Sequence, residues 1–210
     1  MSTDKHSSWS YAEALPLEDD VLARARDRGH ELGVTPVGTG AAALLTVLAA
    51  SSGARTAVEI GAGVGVSGVS LLRGFSAQTV FTTIDVDVDH LSAARTAFLE
   101  LGVPTSRTRT ISGRARDVLP RLTTNAYDFV FIDADKPSLV EYVEHGLRLL
   151  RPGGMLVLHD ALDADKVPLP AVRQPSTVAA RQAGRLLREN DDVVSALVPT
   201  GTGLFLAVKR

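Results

Sequence analysis

The chain has 210 residues, of which 45% are hydrophobic, and a formal net charge of −2. That size and apolar content suit one sizeable α/β domain and exclude a disordered chain, while the weak charge argues against a general nucleic-acid or anionic-membrane binder. The chain contains no cysteine, which rules out a disulfide framework and any cysteine-ligated metal or redox centre. The polar opening Met1–Ser10 lacks a signal-peptide pattern, and the longest apolar run, Ala41–Ala50, is too short to span a bilayer. A soluble cytoplasmic protein is expected.

Residues 1–16 are expected to form a mobile arm, with Trp9 and Tyr11 as docking points, ahead of a single domain over 17–210. Helix is expected over Glu18–Leu32, stopped by Gly33, and over the apolar stretch Ala41–Ser51. From Arg55 onward strands and helices alternate. Strands are predicted at Arg55–Ile60, Val80–Asp85, Thr108–Ile111, Tyr127–Asp133 and Met155–His159. The helices between them are predicted at Ser67–Arg73, Asp89–Leu101, Ala115–Leu122 and Ser138–Leu150, the last followed by the stop signal Arg151-Pro152-Gly153-Gly154. A loop over 160–175, a helix over Thr177–Glu189 and a hairpin of Asp192–Val198 with Leu204–Val208 complete the chain. This alternation predicts a doubly wound, Rossmann-like, seven-stranded and mostly parallel sheet with a C-terminal antiparallel hairpin.

The stretch Ala57-Val58-Glu59-Ile60-Gly61-Ala62-Gly63-Val64-Gly65-Val66-Ser67-Gly68 reads as a buried strand, a glycine turn and the start of a helix that Ser67 would cap. Such a turn lets backbone N–H groups approach a nucleotide-like ligand at a helix N-terminus. Glu59 sharpens the reading. A phosphate-binding turn gains nothing from an anion two residues before its first glycine, whereas a cofactor carrying positive charge does. Asp85, 24 residues after Gly61, ends the next strand, where an acid suits the two hydroxyls of a ribose.

Two further strand ends carry chemistry. One reads Asp133-Ala134-Asp135-Lys136 and the other His159-Asp160. On neighbouring strands, Asp133, His159 and Asp160 could meet at one divalent cation. Equally, Asp133 could cap the next turn while His159 partners an acid. Lys136 is one of only four lysines. It reads either as a base that a nearby cation would tune or as a surface partner of Asp135. His145 reads as a half-exposed helix residue, and His6, His30 and His90 have no evident partner.

Four motifs occur in order: Glu59-Ile-Gly-Ala-Gly-Val-Gly-Val-Ser67, Thr83-Ile-Asp85, Asp128-Phe-Val-Phe-Ile-Asp-Ala-Asp-Lys136 and Arg151-Pro-Gly-Gly-Met-Leu-Val-Leu-His-Asp-Ala-Leu162. From about Val37 to the C-terminus the chain resembles S-adenosylmethionine-dependent O-methyltransferases, in particular the cation-dependent catechol and caffeoyl-CoA type and its small bacterial members. The resemblance implies that Val37, Glu59, Gly61, Gly63, Ser67, Asp85, Ala115 and Asp133 surround S-adenosylmethionine. It also implies that Asp133 ligates Mg²⁺ or Mn²⁺ together with His159 and Asp160, that Lys136 is the general base, and that the protein is a homodimer. The implied reaction is methyl transfer to a hydroxyl of a small catechol-like or phenolic molecule, with no nucleic-acid or membrane partner. The chain departs from the resemblance at His159-Asp160, where relatives carry Asp-Asn, and at Leu139, where many carry an aromatic residue. The first departure leaves open a metal-independent enzyme with His159 or Lys136 as base. A nicotinamide-dependent oxidoreductase is the rival on a similar fold, and a non-catalytic regulator that keeps only the cofactor pocket is another.

Overall fold

A computed structural model describes residues 5–210. At its centre lie β1 (Thr56–Ile60) and β4 (Tyr127–Ile132), each buried along almost its whole length. β2 (Val80–Asp85) and β3 (Thr108–Ser112) extend the sheet on one side of β1. β5 (Leu150–His159), β7 (Leu204–Lys209) and β6 (Val193–Val198) extend it beyond β4. The order is β3-β2-β1-β4-β5-β7-β6; β7 pairs antiparallel with both β5 and β6, and the other pairs are parallel. The expected doubly wound sheet with its closing hairpin is therefore present. Its strand order reverses between β1 and β4, where such sheets open a crevice at the carboxyl ends of the strands.

The pleat explains why β4 is apolar from Phe129 to Ile132. Phe129 and Phe131 enter one core, while Val130 and Ile132 enter the other. The first core is covered by α2 (Asp20–Leu32), α3 (Thr39–Ser52), α4 (Val66–Gly74) and α5 (Val88–Glu100). The second is covered by the short α6 (Ala115–Val118), α7 (Leu139–Leu149) and α8 (Pro175–Glu189). Asp19 caps α2 by accepting from Leu22 N, and Gly33 closes it in the left-handed conformation expected of a terminal glycine. Among the described residues no helix is long and apolar enough to cross a membrane.

Two expectations change, and a third gains detail. The arm carries a helix, α1 (Lys5–Ala14), and its first four residues lie outside the described ones. Glu13 ties α1 down by accepting from Gly40 N (3.2 Å) and Gly201 N (2.7 Å), at the start of α3 and in the hairpin turn. The Arg151–Gly154 stop signal ends α7 but lies inside β5, which pairs with β4 from Leu150 onward. The register shift between Tyr127 and Phe129 absorbs the extra residues as a bulge. The 160–175 loop is held from beneath. Arg181 donates to the carbonyls of Lys166, Val167, Leu169 and Val172, and the buried Asp163 accepts from Ser176 and Thr177.

Helices α3 and α4 approach closely at Gly74, where an added Cβ would lie 2.2 Å from the Thr46 carbonyl oxygen. Overpacking of this kind costs about 1–3 kcal/mol. Gly74→Ala should therefore lower the thermal midpoint by roughly 3–10 °C. An unchanged midpoint in a calorimetric scan would show that the helices separate freely.

Candidate active site

The glycine turn leaves β1 and cannot accept a side chain at Gly61. Gly61 sits at φ +95°, and a Cβ there would lie 1.9 Å from the Asp133 carbonyl oxygen. The turn thus fits flush against the start of the chain leaving β4, bringing Gly61 and Asp133 to one floor. The N–H groups of Ala62 and Gly63 are not left free for a ligand, as the sequence reading expected. Both donate to Asp85 Oδ2 at 3.0 Å. Oδ1 of Asp85 accepts from Asp87 N at 3.0 Å, so the acid at the end of β2 is oriented by backbone on both oxygens.

Glu59 is fully buried. Its Oε1 accepts from Ser67 Oγ and its Oε2 from Thr83 Oγ1, each at 2.6 Å. The β1–β2 register sets Thr83 directly beside it. Ser67 is therefore not the cap of α4; Gly65 occupies that position without a side-chain bond. The Glu59 carboxyl is pushed up to about 8: burial raises it most, the two hydroxyls pull it down, and the charges of Asp133 and Asp85 add to the rise. Among the described residues no basic side chain pairs with Glu59.

In front of these groups opens a cavity of about 570 Å³, within the ~300–1,000 Å³ range of small-molecule sites. Val37, Gly61, Gly63, Ser67, Asp85, Ala115 and Asp133 line it together. Glu59 stays behind Ser67 and reaches the cavity through that hydroxyl. Sequence reasoning missed two lining residues that carry chemistry. His90 stands 3.7 Å from Asp85 Oδ1 and 3.8 Å from Asp87 Oδ2; it lies one turn into α5 from its cap Asp87, a spacing visible in the sequence. Tyr142 supplies the aromatic surface that Leu139 does not. Leu139 is buried in the core, and Tyr142, three residues along α7, donates its hydroxyl to Asp135. Burial first, and the Asp135 hydrogen bond second, push that phenol up to about 12. For Asp135, burial is the largest single influence and acts upward, but its bonds from Tyr142 and Ser138 outweigh it and the carboxyl is lowered.

The tips of β4 and β5 hold the remaining candidates. His159 Nδ1 is 2.9 Å from Asp133 Oδ1. Lys136 Nζ is 2.7 Å from Asp160 Oδ2 and donates to the Asp160 carbonyl oxygen at 3.1 Å, so its partner is Asp160 rather than Asp135. Asp160 adopts φ +50°, and its Oδ1 accepts from Ala164 N. The three expected metal ligands thus do not converge: Asp133 is engaged with His159, and Asp160 with an ammonium. Among the described residues no group of three or more histidine, aspartate or glutamate side chains is placed to hold a metal ion. This donor set does not fit a divalent cation. Of the other histidines, His145 lies half-buried on α7, its Nε2 4.0 Å from Glu141, and His6 stacks on Trp9.

The sequence profile of the O-methyltransferase family matches residues 11–210. The chain belongs to the O-methyltransferase family. A Mycobacterium ulcerans protein named as an O-methyltransferase is 46% identical over 200 residues, covering 95% of this chain and 89% of that one. A Corynebacterium glutamicum crystal structure superposes with a TM-score of 0.89 at 32% identity, covering 99% of this chain and 97% of that one. The O-methyltransferase TomG of Streptomyces achromogenes, described as involved in tomaymycin synthesis and solved in complex with SAM, gives a TM-score of 0.86 at 28% identity, covering 100% of this chain and 99% of that one. This O-methyltransferase chain therefore keeps the family's fold while its β5 tip reads His159-Asp160.

The raised Glu59 carboxyl predicts a pH dependence. An acid with a higher pKa folded than unfolded contributes stability that is complete below its unfolded value and is lost as pH rises towards the folded value of about 8. Wild-type unfolding free energy should fall across that window by an amount on the order of a few kcal/mol more than that of Glu59→Gln. Parallel stability–pH curves from denaturant titrations would contradict the assignment.

Proposed function

We propose that this O-methyltransferase moves the methyl group of S-adenosylmethionine to a hydroxyl of a small phenolic molecule, with His159 taking the hydroxyl proton. The observation that carries the reading is the buried Glu59 carboxylate, set behind the glycine turn without a basic partner. A cationic ligand in the cavity would stabilise the ionised carboxylate, whereas a nicotinamide cofactor's pyrophosphate would oppose its ionisation. S-adenosylmethionine supplies a methyl group on a sulfonium, so that the C–S bond breaks as the new O–C bond forms. In this reading Glu59 and Ser67 face the positive end of the cofactor, Asp85 takes the ribose hydroxyls, and Ala115 and Val37 bound the adenine end. The complex of TomG with SAM supports the same cofactor.

At the acceptor end, the Asp133–His159 hydrogen bond leaves Nε2 as the free ring nitrogen. With Nδ1–H donating to the carboxylate, Nε2 accepts the acceptor's proton, and Asp133 then faces an imidazolium that it stabilises. His159 is 11% exposed at its side chain, which restricts water there. A single catalytic unit over residues 17–210, residence in the cytoplasm and a homodimer belong to the same reading.

Calorimetric titration with S-adenosylhomocysteine tests the cofactor half. Wild type should bind one equivalent, Asp85→Ala should lose roughly ten- to a hundredfold in affinity, and NADH should not compete. Binding of NADH with indifference to S-adenosylhomocysteine would establish the oxidoreductase instead. For the base, His159→Ala should keep S-adenosylhomocysteine affinity while transfer of radiolabelled methyl to a panel of phenols falls by about 10²–10⁴. Undiminished transfer in that variant would remove His159 from the chemistry.

A further inference from the structure

The two pairs at the tips of β4 and β5 differ in kind. Asp133–His159 is a carboxylate–imidazole hydrogen bond. Lys136–Asp160 is an ion pair, each side chain 23% exposed, and it is fixed at several points. Asp160 is held by its positive φ, by Ala164 N on Oδ1 and by Lys136 on Oδ2. Lys136 spends two of its three N–H donors on Asp160, one on the carboxylate and one on the carbonyl oxygen. The third remains available. The short 3₁₀ turn Lys136–Ser138, capped by Asp135, anchors the lysine backbone. Because Lys136 binds the residue that follows His159, the lysine and the histidine belong to adjacent strand tips.

We propose that the Lys136 ammonium, fixed on Asp160, is the resident cation of the acceptor site, and that the acceptor therefore needs only one acidic hydroxyl rather than a vicinal pair. This inference rests on the methyltransferase reading above. A divalent ion holds an acceptor by chelation, which demands two adjacent oxygens. An ammonium with one free N–H engages a single oxygen, and it stabilises the oxyanion as His159 removes the proton. The exchange also accounts for the departure at His159-Asp160. An aspartate at 160 neutralises the lysine, and a histidine at 159 takes over the proton transfer that a cation would otherwise make easy.

The test uses the full chain saturated with S-adenosylhomocysteine, with saturation confirmed by calorimetry; failure to saturate would overturn the methyltransferase reading rather than the role of Lys136. Mn²⁺ is then titrated and followed by electron paramagnetic resonance. Wild type should take up no stoichiometric Mn²⁺, and the triple variant K136M/H159D/D160N should gain a site that disappears on adding D133A. Stoichiometric Mn²⁺ binding by wild type that D133A abolishes would overturn the proposal. In parallel, 4-nitrophenol is titrated and the absorption of its anion recorded. Wild type and Lys136→Arg should bind it as the anion, whereas Lys136→Met should lose at least tenfold in anion binding with unchanged S-adenosylhomocysteine affinity. Anion binding that is absent in wild type, or undiminished in Lys136→Met, would overturn it.

Discussion

Burying a carboxylate costs several kcal/mol even after the protein relaxes around it, and hydrogen bonds to a charged group return about 1.5–3 kcal/mol each. Glu59 has two such bonds, from Ser67 and Thr83, and no counter-ion. The balance stays against the charged form, which is why the carboxyl is pushed up to about 8. Much of the architecture around the cavity follows from this one group. The β1–β2 register brings Thr83 to it, the glycine turn folds α4 back so that Ser67 reaches it, and Asp85 braces that turn through two backbone N–H groups. A buried acid at the switch point of the sheet, neutral until a cation arrives to stabilise its charged form, forms a natural receptor for a positively charged ligand.

The acceptor end follows a different rule. There every charge has a partner within the chain. Asp133 meets a histidine and Asp160 meets a lysine. Glu59 thus has room for an external positive charge, whereas the strand tips already contain theirs. The contrast divides the site into a cofactor end that is electrostatically incomplete and an acceptor end that is electrostatically closed.

Most of the frame was legible from periodicity. Tyr127–Ile132 could be read as a central strand because Phe129 to Ile132 is an unbroken apolar run, and Val80–Asp85 because it is rich in β-branched residues. The cofactor-side residues were legible because strand ends and glycine spacing fix their positions along the chain, and these sheets put such positions on one edge. Less legible was what side chains do once they arrive. Ser67 looked like a helix cap because Ser favours that position, but the buried Glu59 competes for its hydroxyl more strongly. Asp160 looked like a ligand because it is an acid at a strand end. Its left-handed backbone turns it towards Lys136, and nothing local in the sequence signals that conformation. Tyr142 was hidden because the departure at Leu139 drew attention one turn too early. The helix in the N-terminal arm is held by Glu13 through contacts made far along the chain, at Gly201, which no local pattern can reveal.

Glu59, with its carboxyl pushed up to about 8, waits protonated for a positive ligand. The direct measurement is the proton balance of S-adenosylmethionine binding near pH 7, from calorimetric titrations in two buffers of different ionisation enthalpy. The account predicts that wild type releases most of a proton on binding, that Glu59→Gln releases none, and that the uncharged thioether of S-adenosylhomocysteine releases less than the sulfonium does. An identical proton balance in wild type and Glu59→Gln would contradict it.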